Sequence, residues 1–99
     1  MLTRVSEALV KPGREQEFAA RVRDLVLTFP ETYDGLVGHE VLVDLDDPLI
    51  VRYVSRWRDE QALENYAGPG WRTDAVTFPD EDDYLQQPLV LRHFRHISR

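Results

Sequence analysis

The sequence predicts an α+β fold with the element order β-α-β-β-α-β: a four-stranded antiparallel sheet carrying both helices on one face, the ferredoxin-like arrangement. Three observations predict it. A helical stripe of apolar residues follows the first strand-like run. Two strand-like runs then flank an Asp-Asp-Pro turn as an antiparallel hairpin. A second short helical stripe separates that hairpin from a last strand-like run.

The first strand is predicted over Leu2 to Val10 and is broken by Pro12 and Gly13. From Arg14, apolar residues recur at Phe18, Val22, Leu25, Val26 and Phe29, which is helical spacing. Pro30 is expected to end that helix, because the residue before a proline avoids helical geometry. The second strand is predicted over Leu36 to Leu45 and the third over Leu49 to Trp57, joined at Asp46, Asp47 and Pro48. Asp59 is placed to cap the next helix, with Glu60 favourable in its first turn. Ala62, Leu63, Tyr66 and Ala67 form the inward stripe of that helix, and Gly68-Pro69-Gly70 stops it. A short helical turn is expected at Asp80–Leu85 and a last strand over Leu89 to Ile97. No linker or repeat divides the chain, so residues 1–99 read as a single domain.

Composition excludes several kinds of chemistry. The 99 residues contain no cysteine, which removes disulfides, thiolate zinc sites and cysteine nucleophiles. Twelve cations against eighteen acids give a net charge of −6, opposed to a surface that tracks nucleic-acid phosphates. Eleven of the cations are arginine, leaving Lys11, in an exposed-looking turn, as the lone amine for a Schiff base. No apolar run reaches the roughly 18 residues of a membrane span, and the expectation is a cytoplasmic protein without a membrane segment. No Gly-rich phosphate loop, nucleotide fingerprint or Gly-x-Ser-x-Gly elbow is present. No cofactor is therefore expected, neither metal nor flavin. The acid-rich run Pro79–Leu85 reads as solvated loop carboxylates.

The first three strands carry apolar residues on both alternating faces. Ile50 and Val54 point one way along the third strand; Val51, Tyr53 and Trp57 point the other. A sheet with helices on one side and water on the other alternates more cleanly. The bare face is expected to pack on a second copy, giving a homodimer in the form of a dimeric α+β barrel.

The segment LVKPGREQEFAARV resembles the first strand-to-helix junction of the antibiotic biosynthesis monooxygenase (ABM)-like family. GLVGHEVLVDLDDPLIVRYVSRWRDEQALENY resembles its hairpin, with Trp57 closing the third strand and an acidic-alanine-leucine helix after it. The likeness spans most of residues 2–67 and implies the dimeric α+β barrel fold. It also implies an oxidation that uses neither metal nor flavin. An electron-rich aromatic or enolisable compound is bound between sheet and helices, deprotonated, and then gives an electron to dioxygen. The sequence departs from the family pattern at three places. Tyr66 stands where many members have a histidine, and Tyr53 where oxygenases of the group have an asparagine. Val76 stands near the iron-ligating histidine of the haem-degrading branch.

The candidate catalytic residues are His39, Tyr53 and Arg72. Histidine titrates near neutrality, a tyrosine hydroxyl can donate to a substrate oxygen, and an arginine charge stabilises an enolate or phenolate. Trp57, Tyr66 and Trp71 are the candidate ligand-binding aromatics, expected to border one cleft whose mouth Trp71 and Arg72 cover. His93 and His96, three apart on a strand, point to opposite faces and cannot jointly hold a metal. Two further readings stay open: a non-catalytic module binding a small hydrophobic ligand in the same cleft, and a pocket filled by its own aromatics. A cleft of roughly 300 Å³ or more would support ligand binding, and a packed interior would support the filled pocket.

Overall fold

The computed structural model describes residues 1–98. Strands β1 (Leu2–Leu9), β2 (Leu36–Val43), β3 (Ile50–Trp57) and β4 (Val90–Arg95) form one antiparallel sheet in the order β2-β3-β1-β4. Helices α1 (Glu15–Val26), α2 (Phe29–Thr32) and α3 (Glu60–Ala67) and a 3₁₀ turn at Glu81–Tyr84 complete the elements. This is the β-α-β-β-α-β arrangement predicted from the sequence.

Two details differ from expectation. The first helix stops at Val26, before Pro30. Pro30 instead sits in the first turn of α2, where its missing N–H costs no hydrogen bond. The flanking strands β2 and β4 are also shorter than their apolar runs, ending at Val43 and Arg95, and Leu45 and Ile97 are exposed.

Asp59 caps α3 as expected, its carboxylate accepting from the Ala62 N–H at 2.9 Å. The chain enters β2 through Gly35, whose φ of +89° is left-handed and whose Cα lies under Ala62.

The register assigns the two faces of the sheet. Leu2, Arg4, Ser6 and Ala8 on β1 stand opposite Trp57, Ser55, Tyr53 and Val51 on β3, on the helical side. Against them pack Phe18, Val22 and Val26 of α1, Phe29 of α2, and Ala62 and Leu63 of α3. The open face carries Val5, Leu42, Val54, Val90 and Phe94, which line a groove of about 340 Å³ with Glu7, Arg52 and Arg92. Ile50 shares that face with Val54, since alternate residues of a strand point the same way.

A methyl group at Gly35 would lie 2.5 Å from the Ala62 Cβ, in a backbone conformation that disfavours any side chain. Gly35→Ala is therefore expected to destabilise the protein by about 1–3 kcal/mol in denaturant titration.

Candidate active site

Between the sheet and the helices lies a small chamber of about 40 Å³. Phe18, Val22 and Val26 of α1 and Phe29 of α2 form much of its apolar wall. Its polar lining comes from Arg4, Ser6, Tyr53, Tyr66 and Glu81, contributed by β1, β3, α3 and the 3₁₀ turn.

Arg4 lies on the helical side of β1 and is 3% exposed. Its Nη1 donates to the Trp71 carbonyl oxygen at 2.6 Å and meets His93 Nε2 at 3.1 Å; Nη2 donates to the Asp74 carbonyl oxygen at 2.8 Å. A guanidinium only donates, so His93 Nε2 accepts and its proton rests on Nδ1. Burial and the neighbouring Arg4 and Arg72 charges hold the His93 pKa below the ordinary value, which keeps that ring neutral. Among the described residues no carboxylate forms an ion pair with Arg4. Burial lowers the Arg4 pKa, opposed by Tyr66 and Asp74. It remains a cation, because an arginine does not deprotonate in this range.

Glu81 is the second buried charge, at 5% exposure. It stands in a run of acids whose other members, Asp80, Asp82 and Asp83, are exposed. The 3₁₀ geometry explains the difference. Three residues per turn bring Phe78, Glu81 and Tyr84 onto one buried face. Asp80 starts the turn in the left-handed region (φ 61°), a conformation aspartate tolerates. Glu81 Oε1 accepts from the Phe78 N–H at 3.3 Å; Oε2 makes no hydrogen bond among the described residues. Burial pushes the Glu81 pKa up to about 7, with Asp82 raising it further and the Phe78 N–H and Arg21 pulling it down. The expectation of a uniformly solvated acid run is thus corrected at this one position.

The aromatic candidates are brought together in part. Trp57 is fully buried, and its indole N–H donates to Ser55 Oγ at 2.9 Å. Tyr66 stacks on it with ring centroids 4.8 Å apart and also meets Tyr33 at 4.9 Å and Phe29 at 5.5 Å. Trp71 belongs to the same cluster and packs edge-on to His93 at 4.9 Å. Tyr66 lines the chamber, whereas Trp57 and Trp71 stand behind its wall. Tyr53 also lines it, and its hydroxyl lies 2.8 Å from His39 Nδ1, which itself stays outside. Burial raises the pKa of both tyrosines, that of Tyr66 to about 12. Neither is a base near neutrality; both are donors. Arg72 does not reach the chamber. It is exposed, lies 4.5 Å from the Trp71 ring, and borders a separate outer groove with Glu60, His93 and Arg95.

Arg4 and Glu81 are functional candidates that the sequence reading passed over. Arg4 shares strand parity with Leu2, Ala8 and Val10, a charge among core positions. The three-residue spacing of Phe78, Glu81 and Tyr84 is the signal for the other.

The family model described as antibiotic biosynthesis monooxygenase matches residues 1–69. The chain belongs to the antibiotic biosynthesis monooxygenase family. Solved structures agree in fold. An antibiotic biosynthesis monooxygenase of 19% identity superposes with a TM-score of 0.76, covering 99% of this chain and 100% of that one. A conserved protein from Methanosarcina mazei Go1 does so at 21% identity and a TM-score of 0.75, covering 95% and 90%. Rv0793 from Mycobacterium tuberculosis gives 14% identity and a TM-score of 0.74 over 99% and 96%. No curated protein matches the sequence.

In this ABM-family chain the chamber occupies the space between sheet and helices where the resemblance placed a substrate. Val76, near the position of the haem-degrading branch's histidine, is part of its wall. Among the described residues no three His, Asp or Glu side chains gather as a metal site, and no helix is long and apolar enough to cross a membrane.

Two measurements follow. Trp57→Ala is expected to cost about 3–5 kcal/mol in unfolding free energy, while Arg72→Ala, on an exposed side chain, should leave the melting temperature nearly unchanged. Glu81 binds its proton more tightly folded than unfolded, since its pKa is raised from 4.5 to about 7. Its contribution is therefore fully present below pH 4.5 and fades as pH rises toward 7. Glu81→Gln should remove that decline from the stability–pH profile over the same window.

Proposed function

We propose that this chain, as one domain over residues 1–99, is a cofactor-independent monooxygenase-like enzyme acting on a small enolisable compound. The observation that carries the proposal is the polar lining of the chamber. An interior that served packing alone would be apolar, because each unpaired ionisable group carries a desolvation cost. Here, among the described residues, a guanidinium that forms no ion pair and a carboxyl group with one oxygen unbonded border the same space, beside two phenols and the Ser6 hydroxyl.

The size of the chamber narrows the substrate. A cavity of about 150 Å³ accepts benzene, and one of roughly 10–15 Å³ is enough to hold a water. At about 40 Å³ the chamber suits a molecule of a few heavy atoms and falls short of an aromatic ring. Deprotonation beside a carbonyl gives an enolate that can pass an electron to dioxygen. Recombination at carbon and loss of water convert a CH₂ group and O₂ into C=O and H₂O. In this reading Tyr53, oriented by His39, and Tyr66 donate to the substrate oxygen. Trp57 and Trp71 hold the wall that positions Tyr66. Arg72, on the outer groove, has no part in the chamber chemistry. No metal or flavin takes part.

At about 40 Å³ the chamber falls below the roughly 300 Å³ expected of a ligand-binding cleft, which favours a second reading, a non-catalytic member whose pocket is filled by its own aromatics. Oxygen uptake separates the two. Purified protein, treated with chelator and free of flavin, is presented with small ketones and hydroxyketones and, for size contrast, with phenols. Uptake with the small carbon acids and none with phenols supports the enzyme. No uptake with any compound supports the filled pocket.

The open face supports a homodimer. Val5, Leu42, Val54, Val90 and Phe94 form an apolar strip, and a second sheet laid on it closes the dimeric barrel. Val54→Asp, at the middle of that strip, is expected to shift the protein from dimer to monomer in sedimentation equilibrium at low micromolar concentration. A wild-type protein that sediments as a stable monomer would overturn the assembly.

A further inference from the structure

We propose that Glu81 is the catalytic base of the chamber and that the Arg4 guanidinium is the charge that receives the anion it creates. The inference deepens the enzyme reading above and rests on it.

Three structural facts carry it. Glu81 is the buried member of its acid run, turned inward by the 3₁₀ spacing it shares with Phe78 and Tyr84. One carboxylate oxygen is fixed by the Phe78 N–H, which orients the group, while Oε2 has no hydrogen-bond partner among the described residues and the side chain borders the chamber. Arg4 borders the same space. Its contacts with the Trp71 and Asp74 carbonyls and with His93 use three of its five N–H donors, leaving Nε–H and one Nη2–H for a ligand. Those hydrogen-bond partners are neutral and the Asp74 carboxylate acts on Arg4 only from beyond ion-pair distance, so the guanidinium carries a charge without a close counter-ion among the described residues, in a desolvated site. An oxyanion is the ligand that answers it.

The proton transfer balances within these groups. Glu81 Oε2 takes a proton from a carbon next to a carbonyl. The C–H electron pair becomes the enolate double bond, and the carbonyl π pair moves onto oxygen, beside Arg4. The carboxylic acid then exchanges its proton with solvent.

The groups around Glu81 set when it is charged. Asp82 in its own turn disfavours the carboxylate, the Phe78 N–H and Arg21 from α1 favour it, Tyr66 from α3 faces it as an uncharged phenol whose own pKa the carboxylate raises, and Arg4 on β1 borders the same chamber. Burial is the largest influence and brings the pKa to about 7, the range in which a base works best at neutral pH.

The test isolates proton abstraction from oxygen chemistry. Hydroxyacetone is incubated anaerobically in D₂O with full-length protein, and loss of its α-proton signal is followed by ¹H NMR against buffer. Wild-type protein is expected to accelerate exchange, with a rate that rises through a single ionisation near neutral pH and levels above it. Glu81→Gln, which keeps the acceptor for Phe78 N–H but cannot take a proton, is expected to lose roughly 100-fold or more. Glu81→Asp, a carboxylate set back by one methylene, is expected to fall between the two. A wild-type protein that does not accelerate exchange overturns the enzyme reading and the base assignment together. Acceleration that survives in Glu81→Gln overturns the base assignment alone. So does a flat wild-type profile between pH 5.5 and pH 8.5, a criterion that stands whether or not either variant folds (about one and a half units either side of the expected pKa).

Discussion

The buried guanidinium of Arg4 is the interaction on which the site depends. Its bonds to the Trp71 and Asp74 carbonyls hold the segment after α3 against the helical side of the sheet. That segment leads to Val76, Phe78 and Glu81, all of which enter the chamber or the core behind it. A lysine at this position would offer a point charge in place of a planar fork and would not span two carbonyls and a histidine in the same way. The fold therefore spends a costly buried cation on tethering an irregular segment, and the tether leaves charge exposed to the cavity.

Size sets the second limit. Trp57, Tyr66, Tyr33 and Phe29 meet one another at centroid distances between 4.8 and 6.4 Å, and this cluster takes up space that would otherwise be pocket. The groove on the open face, about 340 Å³, is larger than the interior chamber. It is lined by apolar residues with Glu7, Arg52 and Arg92 among them, and Arg52 pairs with Glu7 at 2.6 Å. Size alone would rank that groove above the chamber. The interior is the better site because its polar groups are desolvated and only partly satisfied, which is where electrostatic interactions are strongest.

The architecture was legible because it is written in local periodicity. The stripe from Phe18 to Val26, the Asp59 cap and the hairpin around Asp46 to Pro48 each depend on neighbours a few residues apart. Pro30 was misread because one proline both ends a helix and begins one, and the local sequence does not separate these roles. The site was less legible. Tyr66 over Trp57 follows from a short helix folding back on its own strand, and the sequence showed it. Arg72 follows a glycine-proline-glycine turn whose direction depends on what the chain meets next. It stands exposed beside the Trp71 ring, while Arg4 holds the adjacent Trp71 carbonyl. Arg4 and Glu81 were missed because each looked like an ordinary surface charge. The burial of Arg4 comes from contacts that join β1 to residues about seventy positions later, which no window of sequence contains, and that of Glu81 turns on a short 3₁₀ spacing inside an otherwise exposed acid run.

One irregularity in β2 reaches further than its size suggests. Leu36 faces Trp57, yet the next pair is Gly38 with Arg56, so Val37 is an extra residue in that strand. Beyond this bulge the odd-numbered residues His39, Val41 and Val43 turn to the helical side, opposite Ser55, Tyr53 and Val51. Were Val37 paired with Arg56 instead of bulged out, the alternation would run on unbroken and reverse every later side chain of the strand. Glu40 and Leu42 would then crowd inward, and His39 would leave Tyr53 for the opposite surface. The partnership between that imidazole and that phenol is thus a matter of counting: deleting Val37 would remove the bulge and leave the two together, whereas a slip that drew Val37 into the ladder would part them without touching either ring.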